Sequence, residues 1–311
     1  MRTLNNSVLA ILFAFALNAS AHAQATPTPT PTPPPNTDIF VADLSSAAGV
    51  PKLGAARRIT TWEGYDNQPS FTPEGTDILY TSIRADNQAD IYRYRLADNS
   101  TMRLTETEEA EYSPTVTPDG KSFSVIRVER DREATQRLWK FPLAGAQTAT
   151  LVLERFKPVG YHVWADARTL GLFILGQPAT LQVVDARTGV YGIVATNIGR
   201  SLQRVPGTQK ITYVHKQGTD DWHIKEYDTR THAKRTLAKT LALSEDFAWT
   251  PDGTLLMAKG AKLYALRPGA AGQDWREVAD FTSDGLSEIT RLSVSPRGDR
   301  LALVARPRDT R

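Results

Sequence analysis

Phe71-Thr72-Pro73-Glu74-Gly75 is the stretch that decides the fold, because closely similar stretches recur along the chain. The further copies are Val116-Thr117-Pro118-Asp119-Gly120, Trp249-Thr250-Pro251-Asp252-Gly253 and Val294-Ser295-Pro296-Arg297-Gly298. In a turn, proline presets φ and glycine supplies the positive φ that closes it. The prolines of the first two copies are 45 positions apart (118 − 73), and so are those of the last two (296 − 251). This constant spacing indicates a repeat protein.

Two degenerate copies divide the gap of 133 residues between Pro118 and Pro251. They are Trp164-Ala165-Asp166-Ala167-Arg168, in which Asp166 takes the place of proline, and Arg204-Val205-Pro206-Gly207. The successive steps are then 45, 48, 40, 45 and 45 residues. A four-stranded propeller blade takes roughly 40–50 residues. The pattern therefore predicts an all-β fold, a six-bladed β-propeller, over residues 37–311.

The last repeat is predicted to be completed by the N-terminal part of the ring. Residues 66–105 form a full unit of four predicted strands with β-branched and aromatic residues in alternation. Near the C-terminus only the first two strands recur, at 289–294 and 300–305, whereas 38–44 and 56–60 repeat the third and fourth. We therefore expect N-terminal strands to complete the last blade, which closes the ring and protects its edge strands.

The segment before the predicted ring has the features of a secretion signal and a spacer. Residues 1–23 combine Arg2, an apolar run at 8–17 and the small-residue site Ala21-His22-Ala23, as in a secretory signal peptide. Ten apolar residues are fewer than the roughly 20 that span a bilayer. Residues 24–36 are rich in Pro and Thr and predict an extended linker. We expect a periplasmic or secreted protein with no membrane span.

Composition narrows the classes of partner and chemistry. The chain has 37 basic and 34 acidic residues, and loss of Arg2 with the signal leaves a charge of +2 (36 − 34), which gives no reason to expect nucleic acid as a partner. There is no cysteine, no zinc-binding histidine spacing and no Gly-x-Ser-x-Gly. We therefore expect no metal, no cofactor and no nucleophilic triad, and a monomer held together by burial alone.

The repeats resemble the TolB-like β-propeller repeat family, found in periplasmic TolB and in the propellers of prolyl-oligopeptidase-like enzymes. The resemblance rests on 69–80, 113–121, 249–253 and 293–299 and covers nearly all of 37–311. It implies the propeller fold much more strongly than a function, since such repeats serve scaffolds, binding proteins and enzyme lids. Only the spacer precedes the predicted ring, so we expect neither the second domain of TolB nor a hydrolase domain.

Superposing the repeats predicts which residues share the mouth of the central channel, because the first strand of every blade lines that channel. Most of these positions are polar and chemically varied, as a site for a small polar ligand requires. The candidate ligand-binding residues are Asn67, Gln68, Glu111, Tyr112, Ser113, Tyr161, His162, Arg200, Ser201, Glu245, Asp246 and Arg291.

Two functions remain open from the sequence. The first is a non-catalytic module that binds a small polar ligand or a protein partner at the channel mouth. The alternative is a carbohydrate-active lyase or glycosidase, in which Glu111, Glu245 or Asp246 acts as acid or base, His162 carries a second proton and Arg200 holds a substrate carboxylate. The polar residues also have a purely structural explanation, because any propeller requires polar residues at the solvent-exposed end of each inner strand.

Overall fold

The computed structural model describes residues 34–47, 49–144, 148–269 and 274–307. The predicted signal peptide and the predicted linker up to residue 33 lie outside these residues. Within them, no helix has the length and apolar character needed to cross a membrane.

Antiparallel β-strands are the main element of the described chain, and they group into six sheets. The first three strands, which belong to the last sheet, are β1 (Asp38–Ala47), β2 (Val50–Leu53) and β3 (Arg57–Arg58). Blade 1 contains β4 (Tyr65–Phe71), β5 (Asp77–Ile83), β6 (Ala89–Arg95) and β7 (Thr101–Arg103). Blade 2 contains β8 (Ala110–Val116), β9 (Ser122–Val128), β10 (Gln136–Pro142) and β11 (Thr150–Leu151).

The remaining blades follow the same order from the channel outward. Blade 3 contains β12 (Val159–Trp164), β13 (Thr169–Ile174), β14 (Thr180–Asp185) and β15 (Tyr191–Thr196). Blade 4 contains β16 (Ile198–Arg204), β17 (Lys210–Lys216), β18 (Trp222–Asp228) and β19 (Lys234–Lys239). Blade 5 contains β20 (Phe247–Trp249), β21 (Leu255–Lys259), β22 (Lys262–Leu266) and β23 (Arg276–Asp280). A 3-10 turn at Thr282–Asp284 leads to blade 6, with β24 (Leu286–Val294) and β25 (Arg300–Pro307).

The repeated Pro-x-Gly phrase forms the turn between the first and second strands of its blade. In all four well-preserved copies the glycine N–H donates to the carbonyl three residues earlier, at 2.8 to 3.0 Å. Gly75, as one example, has φ of 68°, a left-handed conformation that costs glycine little. The degenerate copies around Asp166 and Pro206 also lie between first and second strands, β12–β13 and β16–β17.

Buried apolar residues form one cluster between each pair of neighbouring blades. Between blades 1 and 2, for example, Leu79 and Ile91 pack with Phe123 and Phe141, all at most 1% exposed. Each sheet thus buries its faces against its neighbours, because one four-stranded blade has no sufficient core of its own. The mutual packing of sheets holds the ring together.

Blade 6 joins the two ends of the described chain, which confirms the predicted six-bladed ring and its closure. β1 pairs with β25 from Asp38↔Ala305 to Asp43↔Arg300. The outermost position of blade 6 differs from the prediction, which placed a single fourth strand there. β1 continues to Ala47 and turns back as β2, so both β2 and the short β3 pair with β1.

Candidate functional site

The first strands of five blades, together with Asp246 immediately before β20 of blade 5, surround a cavity of about 190 Å³ in the central channel. The lining residues are Gln68, Pro69, Ser70, Ser113, Pro114, Thr115, Tyr161, His162, Val163, Arg200, Ser201, Leu202, Gln203, Asp246, Arg291, Leu292 and Ser293. Eight of the predicted candidates belong to this set: Gln68, Ser113, Tyr161, His162, Arg200, Ser201, Asp246 and Arg291. The structure therefore brings most of the superposed positions together.

The other four candidates have different surroundings. Asn67 is buried and donates to Thr37 Oγ1 at 3.2 Å. Glu111 is fully buried, and Tyr112 packs at the edge of the apolar cluster between blades 2 and 3. Glu245 borders the cavity through its contacts with lining residues but does not line it. Asn67, Glu111 and Tyr112 thus lie outside the cavity lining, and in their blades the inner strands are irregular next to these residues.

Irregular strand pairing explains this division. β-bulges interrupt the pairing of the first and second strands at Asn67/Ser70 in blade 1 and Tyr112/Thr115 in blade 2. Gln68 and Ser113, inside these bulges, have φ of 58° and 54°. A bulge redirects the side chains next to it, so simple alternation fails at this point. Gln68 Oε1 accepts from the Ser113 N–H at 2.8 Å, which ties the two bulges together.

A cluster of charged side chains dominates one side of the cavity. Arg200 donates through Nη2 and Nε to Asp246 Oδ2, at 2.5 and 3.1 Å. Arg291 Nη1 lies 3.7 Å from the other oxygen of the same carboxylate, Asp246 Oδ1. Burial acts to lower the pKa of Arg200, but the charge of Asp246 raises it above its ordinary value. The two guanidinium groups therefore share a single carboxylate.

Glu245 belongs to an adjoining ion pair. Lys216 Nζ lies 2.8 Å from Glu245 Oε2, and the backbone N–H of Arg200 donates to the same oxygen at 3.2 Å. Burial acts to raise the pKa of Glu245, but the contacts with Lys216 and Arg200 lower it overall. The sequence interpretation missed Lys216, because only first strands were superposed and Lys216 ends the second strand, β17.

Two tyrosines complete the charged side. Tyr161 OH accepts from Arg291 Nη2 at 3.0 Å, and its ring lies 5.1 Å from the guanidinium carbon. Burial raises the pKa of Tyr65 to about 12, while the nearby charge of Arg291 opposes the rise. The sequence interpretation also missed Tyr65, which starts β4 one residue before the superposed segment. The Tyr65 phenol is therefore neutral at ordinary pH.

His162 lines the opposite part of the cavity but is itself buried. Its Nε2 is 2.6 Å from Ser124 Oγ, which also receives a hydrogen bond from Trp164 Nε1 at 2.9 Å. Its Nδ1 has no hydrogen-bond partner within the described chain. Burial lowers the pKa of His162 to about 3. The imidazole is therefore uncharged at neutral pH.

Within the part of the chain that the structure describes, no three or more His, Cys, Asp or Glu side chains group as metal ligands would. The carboxylates at the cavity instead contact arginine or lysine. What the arrangement can do chemically is to present fixed cationic and neutral donors to an acceptor.

Comparison with known proteins supports the fold and gives no family assignment. No family model matches the chain. One relative, an uncharacterized protein of Agrobacterium fabrum, is 26% identical over 119 residues, which is 37% of this chain and 38% of that protein. The chain thus matches well under half of that relative's length.

Several solved structures have the same architecture. A putative TolB from Agrobacterium tumefaciens has a TM-score of 0.66 at 15% identity, covering 87% of this chain and 98% of that one. TolB from Acinetobacter baumannii has a TM-score of 0.57 at 12% identity, covering 88% and 64%. A gluconolactonase from Xanthomonas campestris has a TM-score of 0.60 at 11% identity, covering 91% and 100%. At these identities the similarity concerns the fold alone.

Proposed function

We propose that this chain is a secreted or periplasmic propeller that binds a small anionic ligand at the mouth of its central channel without catalysis. The ligand class is a carboxylate-bearing sugar or the carboxyl end of a peptide, including that of a protein partner. The observation that carries the proposal is the convergence of Arg200 and Arg291 on one carboxylate, Asp246, at a cavity. Arginine forks match carboxylates in geometry and charge.

Charge at the mouth favours an anion. Arg200, Arg291 and Lys216 face only two carboxylates, Asp246 and Glu245, in their mutual contacts. One positive charge is therefore in excess (3 − 2), in a setting partly shielded from water. Such shielding strengthens the attraction between a ligand carboxylate and the guanidinium groups.

The cavity volume limits the size of the ligand. About 190 Å³ is less than the roughly 300–1,000 Å³ of clefts that enclose drug-sized molecules. A single sugar residue or one terminal amino acid suits this volume, whereas a longer ligand would extend beyond the mouth.

The contacts of the candidate acids and base do not favour the lyase or glycosidase alternative. Glu245 is held by Lys216, and Asp246 by Arg200. Glu111 is fully buried outside the cavity lining. His162, with a pKa of about 3, carries no proton to donate as an imidazolium at neutral pH. We therefore favour a binding function over a catalytic one.

A thermal-shift screen tests the proposal. The compounds are glucuronate, galacturonate, their neutral sugars and N-acetylated dipeptides with a free carboxyl group, against the wild type and Arg291→Gln. Arg168→Gln is the matched control, since Arg168 forms an exposed ion pair with Asp185 far along its own blade. A ligand at 100 times its dissociation constant stabilises the folded state by about 2.7 kcal/mol.

We expect one or more carboxylates to raise the melting temperature of the wild type and of Arg168→Gln by several degrees, and to leave Arg291→Gln unshifted. The neutral sugars should have no effect on any of the three proteins. Equal stabilisation of Arg291→Gln, or no stabilisation by any carboxylate, would show the proposal to be wrong. Turnover of a compound in the same samples would restore the enzymatic alternative.

A further inference from the structure

The outer strand of blade 3 differs from the other outer strands of the ring. An outer strand exposes backbone groups that another chain can pair with, and charged residues, proline or shortness usually prevent this. β7, β19 and β23 each contain Arg or Lys, β2 contains Pro51 and Lys52, and β3 and β11 have two residues each. β15 reads Tyr-Gly-Ile-Val-Ala-Thr. Among the described outer strands longer than two residues, it alone has neither charge nor proline.

Exposed apolar side chains concentrate at this strand. Val190, Tyr191 and Ile193 are 71%, 52% and 60% exposed. They account for three of the eight large apolar side chains that are exposed among the described residues. A long, apolar and unprotected edge is costly for an isolated protein, because it invites association. This strand is therefore a candidate surface for pairing with another chain.

A basic groove runs beside the same strand, between β15 and blade 4. Its cavity of about 480 Å³ is lined by residues 193–196 and by Lys225, Lys234 and Arg235. Lys234 Nζ donates to the Val194 carbonyl at 2.6 Å. In the described chain, neither Lys225 nor Lys234 has an ion-pair partner, whereas Arg235 contacts Glu226. The groove lining contains no carboxylate.

His215, at the floor of this groove, responds to its charge. Burial lowers the pKa of His215, and the charges of Lys225, His223 and Lys234 lower it further. Its Nδ1 has no hydrogen-bond partner within the described residues. Lys225 and Lys234 therefore lie close enough to His215 to influence its pKa.

The charge of the groove selects among possible occupants. A second copy paired through β15 would bring two basic grooves together, which like-charge repulsion opposes. The chain's own segments outside the structure offer no acidic surplus, since 24–33 carries no charge and 308–311 has two arginines and one aspartate. An acidic segment of another protein meets neither objection.

We propose that β15 and the basic groove bind an extended acidic segment of another protein. The segment adds to blade 3 as a further strand, which supplies main-chain hydrogen bonds to the open edge. Its carboxylates lie against Lys225 and Lys234, and its apolar side chains cover Tyr191 and Ile193. This site is separate from the channel and does not depend on the function proposed for it.

Fluorescence anisotropy with a labelled ten-residue peptide of alternating Glu and Val tests the site. The comparison peptides alternate Lys and Val, or carry Pro at every Val position, which prevents strand pairing. The test variants are Lys225→Gln/Lys234→Gln and, separately, Ile193→Asp. The matched control is Lys52→Gln/Lys259→Gln, which removes two exposed positive charges from other blades. Thermal melts of all variants show whether the fold is kept.

We expect saturable binding of the Glu/Val peptide, about tenfold weaker in the groove double variant and in Ile193→Asp, and unchanged in the control. The Lys/Val and Pro-containing peptides should not bind. The proposal is wrong if the Glu/Val peptide does not bind, if the Lys/Val peptide binds equally, or if the groove substitutions have no effect. Self-association that Ile193→Asp abolishes would assign the edge to a second copy instead.

Discussion

Asp66 and Glu111 occupy equivalent positions, seven residues before the turn prolines Pro73 and Pro118 (73 − 66 and 118 − 111). Both are buried where an inner strand enters its blade. Burial raises the pKa of Asp66 to about 6 and that of Glu111 to about 7. Glu111 keeps contacts with Thr107 and Arg127, but its Oε2 has no hydrogen-bond partner in the described chain.

The substitution Asp66→Asn should reduce the pH dependence of stability. Because the folded-state pKa is raised from 3.8 to about 6, the contribution of Asp66 is fully present below pH about 4 and is lost as pH rises through about 6. The difference corresponds to about 3 kcal/mol. An asparagine does not ionise, so the variant should gain about that much relative to the wild type between pH about 4 and 8. Denaturant unfolding across this range measures it.

Asp86→Asn is the control, since it removes a carboxyl group that is half exposed in a loop rather than buried. Glu111 is present in all three proteins, so its own titration cancels in the comparison. Parallel profiles for the wild type and Asp66→Asn would contradict the raised pKa.

Two tryptophans at the ends of inner strands connect neighbouring blades. Trp164, in β12 of blade 3, donates through Nε1 to Ser124 Oγ of blade 2 at 2.9 Å. Trp249, in β20 of blade 5, donates in the same way to Thr212 Oγ1 of blade 4 at 2.9 Å. Each hydroxyl is also within hydrogen-bond distance of a carbonyl of its own blade's inner strand. The repeated sequence position therefore has a repeated role in holding sheets together.

Replacing Trp164 with phenylalanine should destabilise the protein by about 1 to 3 kcal/mol. The substitution removes the indole N–H and leaves Ser124 Oγ with one partner fewer in a buried setting. Trp249→Phe should cost a similar amount, since the geometry is the same. Urea unfolding measures both.

Trp62→Phe is the appropriate control, because Trp62 is 43% exposed and contacts the Arg84 guanidinium rather than a neighbouring hydroxyl. It should change the free energy of unfolding by less than about 0.5 kcal/mol. If all three substitutions cost the same, the interblade hydrogen bond has no special role.

A second repeated device joins the third and fourth strands in blades 1 and 6. In each of these blades an aspartate near the start of the third strand accepts a hydrogen bond from an arginine of the fourth strand at 2.6 Å. A threonine two residues after that arginine accepts a hydrogen bond from a backbone N–H of the third strand at 2.9 Å. The two sets are Asp90, Arg103 and Thr105, and Asp38, Arg58 and Thr60. Blade 6, which both ends of the described chain build together, thus has the same contacts as blade 1, and this supports the view that it is an ordinary blade.

Closure of the ring depends on strands that are far apart in sequence. β1 lies between β25 on one side and β2 and β3 on the other, so the last blade needs both parts of the chain. Phe40 and Val41 of β1 also pack into the apolar clusters on either side of blade 6. Without β1, two blade interfaces would lose part of their buried surface.

A chain that starts at Glu63, and so lacks residues 37–62, should not unfold in one cooperative transition. It loses β1 to β3 and exposes the edge of β25, which leaves a ring open on one side. A chain that starts at Pro34 is the reference. Differential scanning calorimetry distinguishes the two, and a truncated chain that melts like the reference would contradict closure by these strands.

Most of the site could be predicted from the sequence, because the repeated turn also fixes the position of each residue along the strands of its blade. Residues at one distance from the turn share one level of the channel, which is why eight of twelve candidates line the cavity. Asn67, Glu111 and Tyr112 lie beside β-bulges, and the prolines inside these inner strands, Pro69 and Pro114, are a local signal of the bulges that simple superposition did not use. Lys216 and Tyr65 were missed because they reach the mouth from outside the superposed segment.

The amino-acid sequence by itself determined the number of blades, their order and the way the ring closes, since these follow from local turns and strand patterns repeated at a constant spacing. Only the tertiary structure decided which charges meet at the channel and which strand is left open. Asp246 pairs with Arg200 and Arg291 across separate blades, and the groove beside β15 combines residues of blades 3 and 4. Such contacts depend on side-chain packing between distant segments, and a repeat period does not specify that packing.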